Sequence, residues 1–131
     1  AYGESKFASA DVRPFISDMF REFGKADLVI CRAGATTCAE LAAAGKASIM
    51  VPLPTAADDH QRKNAEALER SGAAKMILQT DLSGERLAAE IAKLTESPDS
   101  ITTMETAAKE MGREDAAERT VDIIEELKAS V

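Results

Sequence analysis

Asp27-Leu28-Val29-Ile30-Cys31-Arg32-Ala33-Gly34-Ala35-Thr36-Thr37-Cys38-Ala39-Glu40 is the stretch whose reading decides the fold. Leu28, Val29 and Ile30 make a short apolar run, mostly β-branched. Bounded by turn signals, such a run reads as a buried strand. Ala33-Gly34-Ala35 then leaves the backbone bare. Thr37 and Glu40 have the Thr-x-x-Glu spacing of a capping box, so the sequence predicts a helix from about Thr37 to Ala44, stopped by Gly45. Strand, small-residue turn and helix N-terminus in succession aim free N–H groups and the positive end of a helix dipole at one place. A phosphate or diphosphate suits that place.

Outward from this unit, strand and helix alternate. Upstream, Val12–Ile16 is a candidate strand, demoted by Pro14 to an edge or a strand end. Met19, Phe20 and Phe23 recur at helical spacing, which predicts a helix over Ser17–Lys25 with Ser17 as its cap. Downstream, Ala47–Val51 reads as a strand ended by Pro52-Leu53-Pro54, and Ala56–Asp59 as loop. A helix follows from Asp58 or Asp59 to Ser71, stopped by Gly72, and then a short strand over Ala74–Leu78. The rest reads as three helices. Leu82, Leu87, Ile91 and Leu94 mark the first, which Ser97-Pro98-Asp99 breaks. Ile101, Met104, Ala107, Ala108 and Met111 mark the second, stopped at Gly112. Ala116, Val121, Ile124 and Leu127 mark the third. This alternation predicts an α/β fold, a partial doubly wound, Rossmann-like parallel sheet of three to four strands with flanking helices. A complete nucleotide-binding sheet of this kind usually has about six strands, so the missing ones are expected ahead of Ala1.

Composition narrows the function. The chain has 131 residues, a 45% hydrophobic share and a net charge of −7. Residues 1–80 carry ten acids and ten bases, whereas residues 81–131 carry thirteen acids and six bases, so the whole excess sits in the helical tail. An acidic chain without basic clusters argues against a nucleic-acid partner. No apolar run is long enough to span a membrane. Cys31 at a strand end and Cys38 in a first helical turn make no disulfide framework; they read as buried free thiols.

Arg32-Ala33-Gly34-Ala35-Thr36-Thr37, Glu40, Gly45-Lys46, Pro52, Asp59-His60-Gln61 and Asn64-Ala65 together resemble the MurG-type glycosyltransferases. Those enzymes move N-acetylglucosamine from UDP onto lipid I, making lipid II for peptidoglycan. The likeness runs from Phe15-Ile16-x-Asp18-Met19 to Asp115-Ala116-Ala117. It implies that residues 1–131 are the second half of the C-terminal UDP-sugar-binding domain of a GT-B enzyme, with 81–131 as a helical C-terminal segment. It also implies an inverting, metal-independent N-acetylglucosaminyltransferase without cofactor, at the inner face of the cytoplasmic membrane. The lipid-linked acceptor and the membrane would be met through an N-terminal domain that these residues do not include. No catalytic residue is therefore expected here, and the chain alone is expected to be inactive.

Two readings stand beside each other at each position. The N–H groups of Ala35, Thr36 and Thr37, with the Thr37 hydroxyl and the neighbouring Cys38 and Ala39, hold the UDP diphosphate, or they form an ordinary strand–helix turn. Glu40 completes a capping box, or, as the resemblance implies, offers two acceptor oxygens to the vicinal ribose hydroxyls. Gln61, His60 and Asn64 share a helix face by their spacing. The resemblance has Gln61 contacting the sugar, with His60 and Asn64 as additional contacts; the plain alternative is capping and solvated surface. Ile16 is core, or its backbone meets uracil, as in the relatives. Arg32 faces phosphate or braces the loop, and the sequence leaves both open. The rival functions are a GT-B glycosyltransferase with another acceptor, a UDP-N-acetylglucosamine 2-epimerase, disfavoured by the single histidine, and a nucleotide-sugar sensor. A half-sheet leaves an open edge, so the chain is also expected to self-associate.

Overall fold

A computed structural model describes residues 8–54 and 59–130, the side chains of Ala116 and Arg119 aside. In order it holds α1 (Met19–Lys25), β1 (Val29–Cys31), α2 (Ala35–Ala44), β2 (Ser48–Met50), α3 (His60–Ser71), β3 (Ala74–Met76), a 3-10 turn (Gln79–Asp81), α4 (Gly84–Glu96) and α5 (Pro98–Ala129). The sheet is parallel in the order β1-β2-β3, with Ile30 opposite Ile49 and Ile49 opposite Lys75. The expected α/β fold is there, at the lower of the two strand counts among the described residues.

Alternation along the strands builds two cores. Val29, Cys31, Met50 and Ala74 face one side, against Phe23 of α1, Cys38 and Leu41 of α2, Ala65 and Leu68 of α3 and Ala108 of α5. Ala47, Ile49, Val51 and Ile77 face the other, against Leu94 of α4 and Met104 of α5. Leu41, Ile49, Met50 and Ile77 are completely enclosed. Each such side chain contributes about 1.5–3 kcal/mol of burial free energy. Helices cover both faces, as a parallel sheet requires.

Gly45 and Gly72 stop their helices as expected. Both are left-handed, with φ 65° and 87°. The Gly45 N–H donates to Ala42 C=O (3.1 Å) and the Lys46 N–H to Leu41 C=O (3.0 Å), the paired bonds of a Schellman stop.

Other boundaries differ from expectation. Val12–Ile16 is not a strand: Pro14 lacks a donor, and Val12 and Phe15 lie 71% and 79% exposed. Asp18 rather than Ser17 caps α1, its carboxylate accepting the Arg21 N–H at 3.0 Å. A charged acceptor also gains from the helix dipole. The Thr37–Glu40 capping box does not form. Gly34 is the N-cap and α2 begins two residues earlier, at Ala35, which places Thr37 inside the first turn. Ala33, fully buried, pins the chain to the core immediately before that start.

The tail is two helices, not three. Gly112 lies within α5. A Cβ there would sit 2.6 Å from the Ala42 carbonyl oxygen, so the glycine marks a close crossing of α5 over the end of α2 rather than a stop. The break at Ser97-Pro98 holds, with Pro98 opening α5. Of the expected Ala56–Asp59 loop, all but Asp59 falls outside the described residues.

Candidate functional site

The loops that follow the three strands gather at the carboxyl end of the sheet, where open α/β folds bind ligands. Arg32-Ala33-Gly34 follows β1, Val51–Pro54 follows β2 and Ile77–Asp81 follows β3.

The start of α2 is the centre of this region. Its N-cap, Gly34, has no side chain to offer, and no side-chain bond caps the helix. The Cys38 N–H makes the first intrahelical bond, to Gly34 C=O at 3.0 Å. The N–H groups of Ala35, Thr36 and Thr37 come before it and have no intrahelical acceptor, as at any helix start. Ala35 and Thr36 are exposed. Cys38 is buried in the core and its N–H is spent, so it offers a ligand neither side chain nor donor. Ala39, half-buried in the second turn, follows it.

Beside this helix start, on the free side of β1, lies a concavity of about 450 Å³. Ile16, Phe23, Ile30, Cys31, Thr37 and Glu40 are among its lining residues. Ile16 and Glu40, twenty-four residues apart, thus meet Thr37 at one surface. With Gly34 as N-cap, Glu40 is the sixth residue of α2 and too far along to reach the cap N–H. The capping reading of Glu40 is thereby removed.

On the other side of the turn, α3 clamps Ala33. The Gln61 side-chain oxygen accepts the Ala33 N–H at 3.2 Å and the Leu53 N–H at 2.9 Å. The Asn64 amide donates to the Ala33 carbonyl at 3.0 Å. Two backbone donors fix which way the Gln61 amide faces, and among the described residues its NH2 is left as the free end. Asn64 therefore braces the turn, and Gln61 braces it while keeping a donor in reserve. His60 opens α3 as an exposed residue. The preceding Asp59 adopts a left-handed φ of 55°, a conformation that costs a non-glycine residue about 1–2 kcal/mol.

Arg32 braces as well. Its Nη1 donates to Gln79 Oε1 at 2.7 Å and to Val51 C=O at 3.2 Å, and reaches Pro52 C=O at 3.5 Å. One guanidinium therefore ties together the ends of all three strands. Gln79 carried no signal in the sequence, because its role depends on a partner 47 positions away.

The thiols are poor nucleophiles. Burial, with a smaller contribution from the neighbouring Cys38, pushes Cys31 up to about 11, and burial also raises Cys38. Both stay protonated near neutrality as free thiols, Cys38 buried as expected and Cys31 only half-buried.

Comparisons with known proteins agree on one family. Residues 2–120 match the model described as the glycosyltransferase family 28 C-terminal domain. The chain is similar to a protein of Geobacter sp. (strain M21), 52% identical over 118 residues, covering 90% of this chain and 32% of that one. It is also 45% identical to a protein of Myxococcus xanthus, covering 96% of this chain and 33% of that one. Both carry the name UDP-N-acetylglucosamine–N-acetylmuramyl-(pentapeptide) pyrophosphoryl-undecaprenol N-acetylglucosamine transferase. Among solved structures, that of Acinetobacter baumannii MurG superposes with a TM-score of 0.74 at 40% identity, over 88% of this chain and 33% of that one. The chain thus spans about a third of the length of these relatives.

Proposed function

The chain belongs to the glycosyltransferase family 28 C-terminal domain family, and from that membership we propose that it is the donor-binding part of a lipid I N-acetylglucosaminyltransferase. Residues 1–131 would form the second half of the C-terminal UDP-sugar domain, with 81–131 as its helical closing segment. The remaining two thirds of a relative's length would supply the lipid-linked acceptor site and the contact with the inner face of the cytoplasmic membrane. No helix among the described residues is long and apolar enough to cross a membrane.

The observation that carries this reading is the meeting of Ile16, Thr37 and Glu40 at one concavity, beside a helix start without a side-chain cap. Uracil would lie at Ile16, and the ribose hydroxyls at Glu40. The diphosphate would take the N–H groups of Ala35, Thr36 and Thr37, and the sugar the Gln61 NH2, near His60. In the transfer, an acceptor hydroxyl attacks the anomeric carbon in line as the bond to UDP breaks, inverting the configuration. Negative charge grows on the departing diphosphate, and the helix start meets it with fixed donors and a positive dipole end. The proton of the attacking hydroxyl would pass to a base in the remaining two thirds of the enzyme, so no residue of this chain need take it.

Glu40→Gln tests the reading. Glutamine keeps the size, the helical preference and one acceptor, but loses the charge and one acceptor oxygen. Hydrogen bonds to charged groups contribute roughly 1.5–3 kcal/mol against about 0.5–1.5 for neutral ones. UDP affinity should therefore fall about tenfold with the melting temperature unchanged. Calorimetric titration of the full-length enzyme and its Glu40→Gln variant with UDP decides it, and equal affinities would take Glu40 out of the site.

A further inference from the structure

Arg32 forms no ion pair with a carboxylate among the described residues. Its three acceptors, Val51 C=O, Pro52 C=O and Gln79 Oε1, are all neutral. They hold the guanidinium without cancelling its charge. A brace alone would need no charge, since a neutral amide donor serves as well. Arg32 precedes the Gly34 N-cap by two residues, and Ala33 between them is held at its N–H by Gln61 and at its C=O by Asn64. The Arg32 guanidinium is thus held across the ends of β2 and β3, two residues in sequence before a helix start that itself carries about half a positive charge.

We propose that Arg32 is a positioning residue of the diphosphate site, tying the three strand ends under the Ala33–Thr37 turn while keeping its charge unneutralised for the phosphates. The proposal rests on the diphosphate reading given above. Its physical content is preorganisation. A cation already tied to three acceptors loses little freedom when an anion arrives, so its attraction goes into affinity. The hydrogen bonds shown all use Nη1, which leaves the other guanidinium nitrogens as donors.

The test compares UDP with uridine, which share base and ribose and differ in the diphosphate. Shifts of backbone amide NMR signals during titration report weak binding as well as strong, and the unliganded spectrum confirms folding. Arg32→Gln keeps an amide donor and drops the charge. It should weaken UDP about fivefold and leave uridine unchanged, the gap closing by about 0.5 M salt as the charge is screened. Arg32→Lys keeps the charge and should stay within about twofold of wild type for UDP at low salt, since a point charge serves phosphate. Equal losses for UDP and uridine in Arg32→Gln would reduce Arg32 to a brace, and no loss in either would remove it from the site. Should Arg32→Gln not fold, a fivefold loss of UDP affinity in Arg32→Lys overturns the proposal. A wild-type chain that binds UDP no better than uridine overturns the diphosphate reading itself, and the proposal with it.

Discussion

Ser48 is the buried polar side chain of the core, and its hydroxyl has no hydrogen-bond partner among the described residues. It sits in β2 on the side of Met50, opposite Val29 and Ala74. A buried hydroxyl left unsatisfied costs about 1–3 kcal/mol relative to water. Ser48→Ala removes that cost and loses only a small volume. The variant should be as stable as wild type or about 1 kcal/mol more so, read as the midpoint of urea unfolding at unchanged slope. A loss of more than about 1 kcal/mol would mean that the hydroxyl holds a buried water or another partner. Glu40 makes a different point at the same scale. Thr37 and Glu40 have the spacing of a capping box, yet Gly34 starts the helix, and the same carboxylate is left facing a concavity.

The helices show which parts of the fold were legible in the sequence. Gly45 and Gly72 act where the sequence puts them, because a left-handed stop is a local event written in one residue and its neighbours. Gly112 is read wrongly as a stop because its reason is not local. It makes room for the Ala42 carbonyl across the α2–α5 crossing. Gly112→Ala measures this. Alanine gains about 1 kcal/mol of helix propensity. Forcing a methyl to 2.6 Å from a backbone oxygen costs more, since overpacking costs about 1–3 kcal/mol and backbone yields less readily than a side-chain tip. A net loss of about 1–2 kcal/mol is expected by thermal unfolding, whereas a more stable variant would show that α5 can lift off α2 at no cost. The site divides in the same way. The turn at Ala35–Thr37 and Glu40 lie within one short unit and are visible from spacing. The clamp of Arg32 on Gln79 needs the parallel register of three strands, which fixes neighbours far apart in sequence.

At the scale of the molecule, the described residues leave the sheet two edges, β1 and β3, and the exposed Lys75 already puts a charge at the centre of β3. Among the described residues β1 pairs only with β2, so its other edge presents unpaired backbone groups. Ile30 at the centre of that strand is 46% exposed, although Ile49 beside it is fully buried. Phe15, Phe20 and Val12 add exposed apolar surface on the segment before β1. An unpaired parallel edge with an apolar centre and no bulge is a template for another chain. Charge opposes this, because the chain is −7 overall with the excess in its tail. Repulsion between like-charged copies falls as salt shortens the Debye length from about 30 Å at 0.01 M to about 8 Å at 0.15 M. Edge pairing and apolar contact are short-ranged and keep their strength. Association should therefore increase with salt as well as with protein concentration, opposite to an assembly held by ion pairs. Ile30→Lys places a charge at the middle of the edge and should suppress it, without loss of stability, since the position is already solvated. Light scattering across protein and salt concentrations, for wild type and Ile30→Lys, reads both effects. A monodisperse monomer at high concentration in 0.15 M salt would mean that the edge is protected by other means. Undiminished association in Ile30→Lys would move the contact to the other sheet edge, at β3, or to the exposed Val121, Ile123, Ile124 and Leu127 of α5.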